Sequence, residues 1–359
     1  MKEIAAPTIK IAKQTKRPRL GFLGVGWIGR NRLQAIAETG ACDIAAIVEP
    51  NAEMAEKAQE LALGAALIGS LGELLESEIT GIAIATPSAL HSEQAIAALE
   101  RGISVFCQKP LGRNAAETRR VVEAARENDC LLAVDFSYRF IDGMQRVREM
   151  IQAGDLGTIF AADLIFHNAY GPDKEWFFDR KLSGGGCVTD LGVHLVDLAL
   201  WTLDFPAAAD ISGRLYANGK LLRNLNETVE DYATARIDFE NGATANLACS
   251  WNLHAGREAE ISATFYGTNG GATLRNLDSS FFDFTAERFS GVNRSKLTEA
   301  ADDDQKWTWG GRAIVDWAGR LAAGEKFNNE CEKLIDVAAI LETIYRESCR
   351  SKDYILCEH

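Results

Sequence analysis

From Arg19 to Val134 short Val/Ile/Ala-rich runs alternate with segments whose apolar residues recur every three or four positions. The runs Arg19–Gly24, Asp43–Val48, Gly81–Ala85, Ile103–Cys107 and Leu131–Val134 predict strands. Between them Ile28–Glu38, Ala52–Leu63, Leu90–Arg101 and Ala115–Glu127 predict amphipathic helices. Such alternation implies a parallel sheet with helices on both faces, since each parallel crossover needs a connection long enough to hold a helix. After about Asp135 the period changes. A helix over Met144–Ala153 stops at Gly154, and longer alternating runs follow at Ile159–Asn168, Ala233–Phe239, Ala243–Trp251 and Glu260–Tyr266. Glu240-Asn241-Gly242 and Thr268-Asn269-Gly270-Gly271 are hairpin signals. Helical patterns at Arg312–Ala323 and Glu330–Ser348 close the chain. The expected fold is an α/β domain on a parallel sheet, followed by an α+β domain with a large, mainly antiparallel open sheet.

A length of 359 residues suits two domains. We divide the chain into a basic arm (1–17), a first domain (18–137) and a second (138–359). Lys and Arg number 38 against 51 Asp and Glu, a net charge of −13, which argues against nucleic acid or anionic lipid as partners. The eight cysteines (Cys42, Cys107, Cys130, Cys187, Cys249, Cys331, Cys349, Cys357) form no C-x-x-C pair and have no histidine at zinc-ligand spacing, so free thiols and no metal are expected. The arm, with Lys10, Lys13, Lys16 and Arg17, lacks the apolar core of a signal peptide, and no apolar run approaches the roughly 20 residues of a membrane span. A cytoplasmic location is expected, with the arm covering either a neighbouring subunit or a cofactor.

Gly24-Val25-Gly26-Trp27-Ile28-Gly29 follows the first strand and opens the first helix. In a Rossmann domain such glycines make the tight turn, admit the pyrophosphate and allow close helix packing. Glu49, at the end of the second strand, stands 20 residues after Gly29, where a ribose-binding carboxylate belongs. A carboxylate there repels a 2′-phosphate, which favours NAD over NADP. Thr86-Pro87-Ser88 and His91 lie at the carboxyl end of another predicted strand, where ligands bind in open α/β sheets. Thr86 or Ser88 is equally suited to cap the next helix. Gln108-Lys109-Pro110 ends a further strand; Lys109 is either a proton acceptor or oxygen-holding donor in the crevice, or a solvated lysine. A helix starting near Val188, after Gly184-Gly185-Gly186, is apolar almost all round except for Asp190, His194 and Asp197, which share one face. These three groups either satisfy one another in a core helix or line a polar cavity.

Taken in order and spacing, Gly24–Gly29, Thr86-Pro87 to His91, Gln108-Lys109-Pro110, Gly184–Gly186 and Asp190 with His194 resemble the glucose-fructose oxidoreductase / inositol dehydrogenase (Gfo/Idh/MocA) family over roughly Arg19 to Tyr345. The resemblance implies an N-terminal Rossmann domain, a C-terminal α/β domain whose open sheet often forms the oligomer interface, and NAD(P)-dependent redox chemistry at a hydroxyl-bearing carbon of a sugar or cyclitol. By resemblance the catalytic lysine falls on Lys109, and the catalytic Asp and His on Asp190 and His194. Gln108 departs from the family's usual Glu. Asp135–Phe140 matches the family's domain junction, which leaves Tyr138 and Arg139 either facing substrate or packing the hinge.

The expected mechanism has Lys109 and His194 holding a polyol hydroxyl, one of them taking its proton, with Asp190 orienting the pair. Gly24, Gly26, Trp27, Ile28, Gly29, Glu49, Thr86, Pro87, Ser88, His91, Gln108 and Lys109 would line the NAD site. His167, Asn168, Asp173, Lys174 and Trp176 are candidates for reading further hydroxyls, and Trp176 and Phe178 for stacking on a sugar ring. Alternatives are a redox-neutral enzyme with tightly bound NAD, a dinucleotide-sensing regulator, or a dehydrogenase of non-sugar substrates such as a dihydrodiol. The open sheet leads to an expected homodimer or homotetramer.

Overall fold

The computed structural model describes residues 17–298 and 309–349; most of the basic arm and Cys357 lie outside them. The first sheet is built from β1 (Arg19–Leu23), β2 (Asp43–Val48), β3 (Ala66–Leu67), β4 (Gly81–Ile84), β5 (Ser104–Cys107) and β6 (Leu132–Val134). All its pairings are parallel, in the order β3-β2-β1-β4-β5-β6. Its crossover helices are α1 (Trp27–Thr39), α2 (Ala52–Leu61), α3 (Leu71–Glu76), α4 (Ser88–Leu99) and α5 (Ala115–Glu127). Strand and helix order thus match the sequence expectation, except that β3 and α3 were not foreseen. The signal for α3 was present in Ser70-Leu71-Gly72-Glu73: the N-cap Ser70 Oγ accepts from Glu73 N–H, and the Glu73 carboxylate reaches back to Gly69 N–H, one residue before the cap. α4 begins two residues before the expected Leu90. Pro87 occupies its N-cap without a side-chain bond, so neither Thr86 nor Ser88 caps it.

Beyond β6 come α6 (Asp142–Gln152), β7 (Ile159–Asn168), the short α7 (Arg180–Ser183), a wide π-type turn over Val188–Gly192 and α8 (Val193–Thr202). The second sheet adds β8 (Ala208–Ala217), β9 (Lys220–Leu221), β10 (Tyr232–Phe239), β11 (Thr244–Ser250), β12 (Ala259–Gly267), β13 (Gly270–Asn276), β14 (Phe284–Ser290) and β15 (Asn293–Lys296). Its nine strands run β15-β14-β13-β12-β7-β11-β10-β8-β9. Only β7 and β11 pair in parallel. Alternation decides which face is covered: Ala162, Leu164 and Phe166 are buried toward the helices, while Arg236 and Asn246 stand on the open face.

Two helices end the described chain, α9 (Trp309–Ala322) and α10 (Lys333–Cys349). α9 lies in the part assigned above to the second domain, yet it packs back on the first. Trp317 is fully buried against Phe106, with ring centroids 5.8 Å apart, and a side chain at Gly81 would meet its ring at 2.7 Å. Arg312 fastens the same helix to the Phe140 carbonyl at 3.1 Å. Among the described residues no helix is long and apolar enough to cross a membrane.

Candidate active site

The glycine loop leaves room for a phosphate group. Gly24 has φ +83°, and a Cβ there would strike the Ala85 carbonyl at 2.7 Å; one on Gly29 would strike the Gly24 carbonyl at 2.2 Å. A Cβ on Gly26 would meet nothing within 4 Å, so that residue faces open space. Gly26 is the N-cap of α1, no side chain bonds that end, and its first turn holds no acid. The free N–H groups and the helix dipole therefore fit a pyrophosphate. Trp27 is exposed and Ile28 half-buried beside them. Glu49 accepts from Val25 N–H at 2.8 Å and from Asn51 N–H at 3.0 Å, bracing the loop from the end of β2.

At the neighbouring strand ends several expected site residues are buried or bonded within the protein. Thr86 Oγ1 bonds Gln94 at 2.6 Å, and Ser88 is buried. His91 is 1% exposed, with one ring nitrogen 2.7 Å from the Pro110 carbonyl and the other 2.7 Å from that of Thr86. Burial pulls its pKa below the usual imidazole value, against the two carbonyls. His91 thus joins the Thr86 loop to the cis Lys109–Pro110 segment from below and presents no ring atom to a ligand.

Lys109 reaches across to the second domain. Its Nζ donates to Asp190 Oδ1 at 2.6 Å and to the Asp190 carbonyl at 2.7 Å, with both side chains 18% exposed. Asp190 Oδ2 accepts the Trp251 indole N–H at 3.0 Å. His194 lies one turn on, its ring 4.9 Å from that of Tyr138 and 6.4 Å from Phe136, and its buried Nδ1 has no partner. Burial, with Lys109 and Arg32 as cationic neighbours, holds His194 well below the usual imidazole range. Asp190 therefore orients Lys109, and no hydrogen bond links it to His194. Tyr138 is buried, and burial with Asp190 nearby pushes its phenol upward.

The triple glycine has a concrete cause. A Cβ on Gly185 would overlap the Tyr345 hydroxyl at 1.9 Å, and one on Gly186 would overlap the Glu230 carbonyl at 2.0 Å. Those close approaches build the base of the turn that carries Asp190. Fully buried Glu230 accepts from Gly186 N–H and Val188 N–H, each at 2.9 Å, and from Tyr345 OH at 2.7 Å. Tyr345 in turn meets Thr189 Oγ1 at 2.9 Å. Asp197, the third polar group on the expected face, departs from the other two. It pairs with Arg139 through Nε at 2.8 Å and Nη2 at 2.5 Å, and the guanidinium is flanked by the rings of Phe136, Trp201 and Phe205. Arg139 is therefore hinge packing, and its charge is not offered to substrate.

The strand-end candidates are also partly committed. His167 bonds Ser250 Oγ at 2.8 Å and stacks on Tyr232; Asn168 Oδ1 holds its own loop through Tyr170 N–H at 2.8 Å. Asp173 and Lys174 pair with each other at the surface. Trp176 stacks on Phe177 at 3.8 Å, and Phe177 and Phe178 both meet Trp251 edge-on. Trp251 links that aromatic cluster to Asp190. Among the described residues no group of three or more His, Cys, Asp or Glu is arranged to hold a metal.

A family model described as oxidoreductase family, NAD-binding Rossmann fold, matches residues 18–136, and one for the GFO/IDH/MocA C-terminal domain matches residues 144–273. The chain belongs to the GFO/IDH/MocA family. Its first domain is the family's NAD-binding domain, as the glycine loop and Glu49 led us to expect. It is 30% identical over 265 residues to 1,5-anhydro-D-fructose reductase of Ensifer adhaerens, covering 72% of this chain and 76% of that one. It is 28% identical over 238 residues to D-glucoside 3-dehydrogenase of Escherichia coli (strain K12), covering 62% of this chain and 65% of the relative, just under two thirds of its length. A levoglucosan dehydrogenase structure in complex with NADH and levoglucosan superposes with a TM-score of 0.78 at 22% identity, over 93% of this chain and 97% of that one. Trp251, Glu230 and Tyr345, which bond to Asp190 or to the turn before it, were not singled out from the sequence. Each reaches the site from a distant strand or helix, so no local spacing announces it.

Proposed function

We propose that this chain is an NAD-dependent dehydrogenase that oxidises a secondary hydroxyl of a sugar, sugar derivative or cyclitol to the ketone. The observation that carries this is the assembly of Lys109, Asp190 and His194 at the carboxyl edge of the NAD-binding sheet. When bound, NAD supplies the acceptor for the carbon's hydride. Lys109, ion-paired with Asp190, acts as a donor that holds the substrate oxygen. His194, kept neutral by burial and by cationic neighbours, takes the hydroxyl proton at a ring nitrogen. The aromatic cluster of Trp176, Phe177, Phe178 and Trp251 supports an apolar ring face. Names of relatives such as the D-glucoside dehydrogenase and the anhydrofructose reductase agree with a sugar-type substrate.

The test is nicotinamide absorbance on the full chain, offering NAD or NADP with inositols, aldoses, sugar acids, anhydrosugars and glycosides. Reduction of NAD by one polyol class is expected. Absence of turnover from protein shown to bind NAD overturns net dehydrogenation and favours redox-neutral use of a retained cofactor.

A further inference from the structure

At the carboxyl edge of the parallel sheet the residue after β5 and the residue after β6 lie side by side. β5 and β6 pair with Cys107 opposite Val134, and Asp135 N–H donates to the Cys107 carbonyl at 2.9 Å. Gln108 therefore abuts Asp135, and its Nε2 donates to Asp135 Oδ2. The same oxygen accepts from Arg32 Nε, on α1, at 2.6 Å. Asp135 is 1% exposed, and its Oδ1 has no partner. An ionised carboxylate only accepts, so the Gln108 amide can face it with its NH₂ alone, and Oε1 is turned away from Asp135. Gln108 itself is half-buried and directly precedes Lys109.

We propose that Asp135, neutralised by Arg32, is a positioning residue of the cofactor pocket. It locks the Gln108 amide so that Oε1 stands beside Lys109 as an uncharged acceptor for a hydroxyl or amide donor of the bound dinucleotide. The negative charge of this strand-end pair thus resides on residue 135, one layer behind the crevice, while residue 108 stays neutral. The assignment rests on the NAD-binding reading of the first domain, and its test does not need the substrate.

Two consequences separate this from ordinary packing. Gln108→Glu places two carboxylates in contact in a buried site, where both cannot remain ionised. Asp135→Asn leaves Arg32 buried without its anion and gives residue 108 a partner that can donate as well as accept, so the amide is no longer locked. Combining the two restores one carboxylate and one amide in the contact.

The experiment is a fluorescence titration of NADH into the full-length wild type, both single variants and the Gln108→Glu/Asp135→Asn double variant, with the Tm of each. Each single variant is expected to bind NADH about tenfold more weakly, and the double variant within about threefold of wild type. Single variants indistinguishable from wild type, or losses that multiply in the double variant, would overturn the proposal. Should Asp135→Asn not fold, Gln108→Met on intact Asp135 keeps side-chain length without the donor. About tenfold weaker NADH binding is then expected, and unchanged binding refutes the lock. If the swap is coupled in NADH binding while the wild type oxidises no polyol, the dehydrogenase reading fails and this one stands.

Discussion

The Trp251 indole N–H donates to Asp190 Oδ2 at 3.0 Å while Asp190 Oδ1 accepts from Lys109 at 2.6 Å. The carboxylate is thus gripped from the second sheet with one oxygen and grips the strand-end lysine of the first domain with the other. A residue just past the end of β11 thereby sets the position of a lysine just past the end of β5. Trp251→Phe keeps the aromatic packing and removes the donor. A hydrogen bond to a charged group contributes about 1.5–3 kcal/mol, so kcat is expected to fall about tenfold or more with the KM for NAD unchanged. Steady-state kinetics with NAD and substrate varied separately check this; a change in the KM for NAD alone would refute it.

Lys109→Met should remove turnover, by about a hundredfold or more, while leaving NADH affinity near wild type, since the side chain's bonds run to Asp190 rather than to the glycine loop. Asp190→Asn is expected to be milder. The amide can still accept from Lys109 but no longer holds it as an ion pair. Comparing kcat and NADH titrations of both variants distinguishes the roles, and a Lys109→Met enzyme with near-normal kcat would disprove the assignment.

The strand-helix alternation, the glycine loop and the change of period after Asp135 were legible in the chain because each is a local pattern that tertiary structure only ratifies. Asp190 and His194 were legible as isolated polar groups on an otherwise apolar helix, and Lys109 as a lysine at a strand end. What the pattern could not supply was pairing. Asp190 and His194 share a helix face at a spacing that favours mutual contact, yet Asp190 is drawn to Lys109 and Trp251, and Asp197 to Arg139. Arg139 sat beside substrate candidates in sequence, but three aromatic rings and a buried carboxylate claim it. α9 was assigned with its sequence neighbours, whereas burial of Trp317 under Phe106 returns it to the first domain.

The acid sensitivity of the fold should follow from its buried imidazoles. Buried His194 and half-buried His167 both have pKa values lowered mainly by burial from the ordinary 6.5. Below that value the unfolded chain binds protons that the native chain does not, so stability is full above about pH 6.5 and falls as pH drops. Tm measured from pH 8 to pH 5 is expected to decline on the acid side of this value, and His194→Asn to shallow that decline. A Tm independent of pH over the range would contradict the buried neutral state. The same lowering places the acid limb of kcat/KM below 6.5, since protonation of His194 removes the proposed proton acceptor.

The last test concerns the floor of the turn that carries Asp190. Glu230, Tyr345 and Thr189 lie under Gly185 and Gly186 so closely that no side chain fits there. Gly186→Ala must push its new methyl group into the Glu230 backbone, which cannot rotate away as a flexible side chain would. Overpacking of this kind costs about 1–3 kcal/mol, and here it also displaces the Val188–Gly192 turn that carries Asp190. Tyr345→Phe is the gentler probe. It deletes only the hydroxyl, leaving Glu230 and Thr189 each one partner short, and is expected to cost about 1–3 kcal/mol of stability. Denaturant unfolding gives the stability loss of both variants, and kcat measured on the folded fraction shows whether the turn has moved. The glycine variant should lose kcat by a larger factor than its stability loss explains, and equal kcat in the two folded enzymes would mean that the floor supports the fold without setting the site.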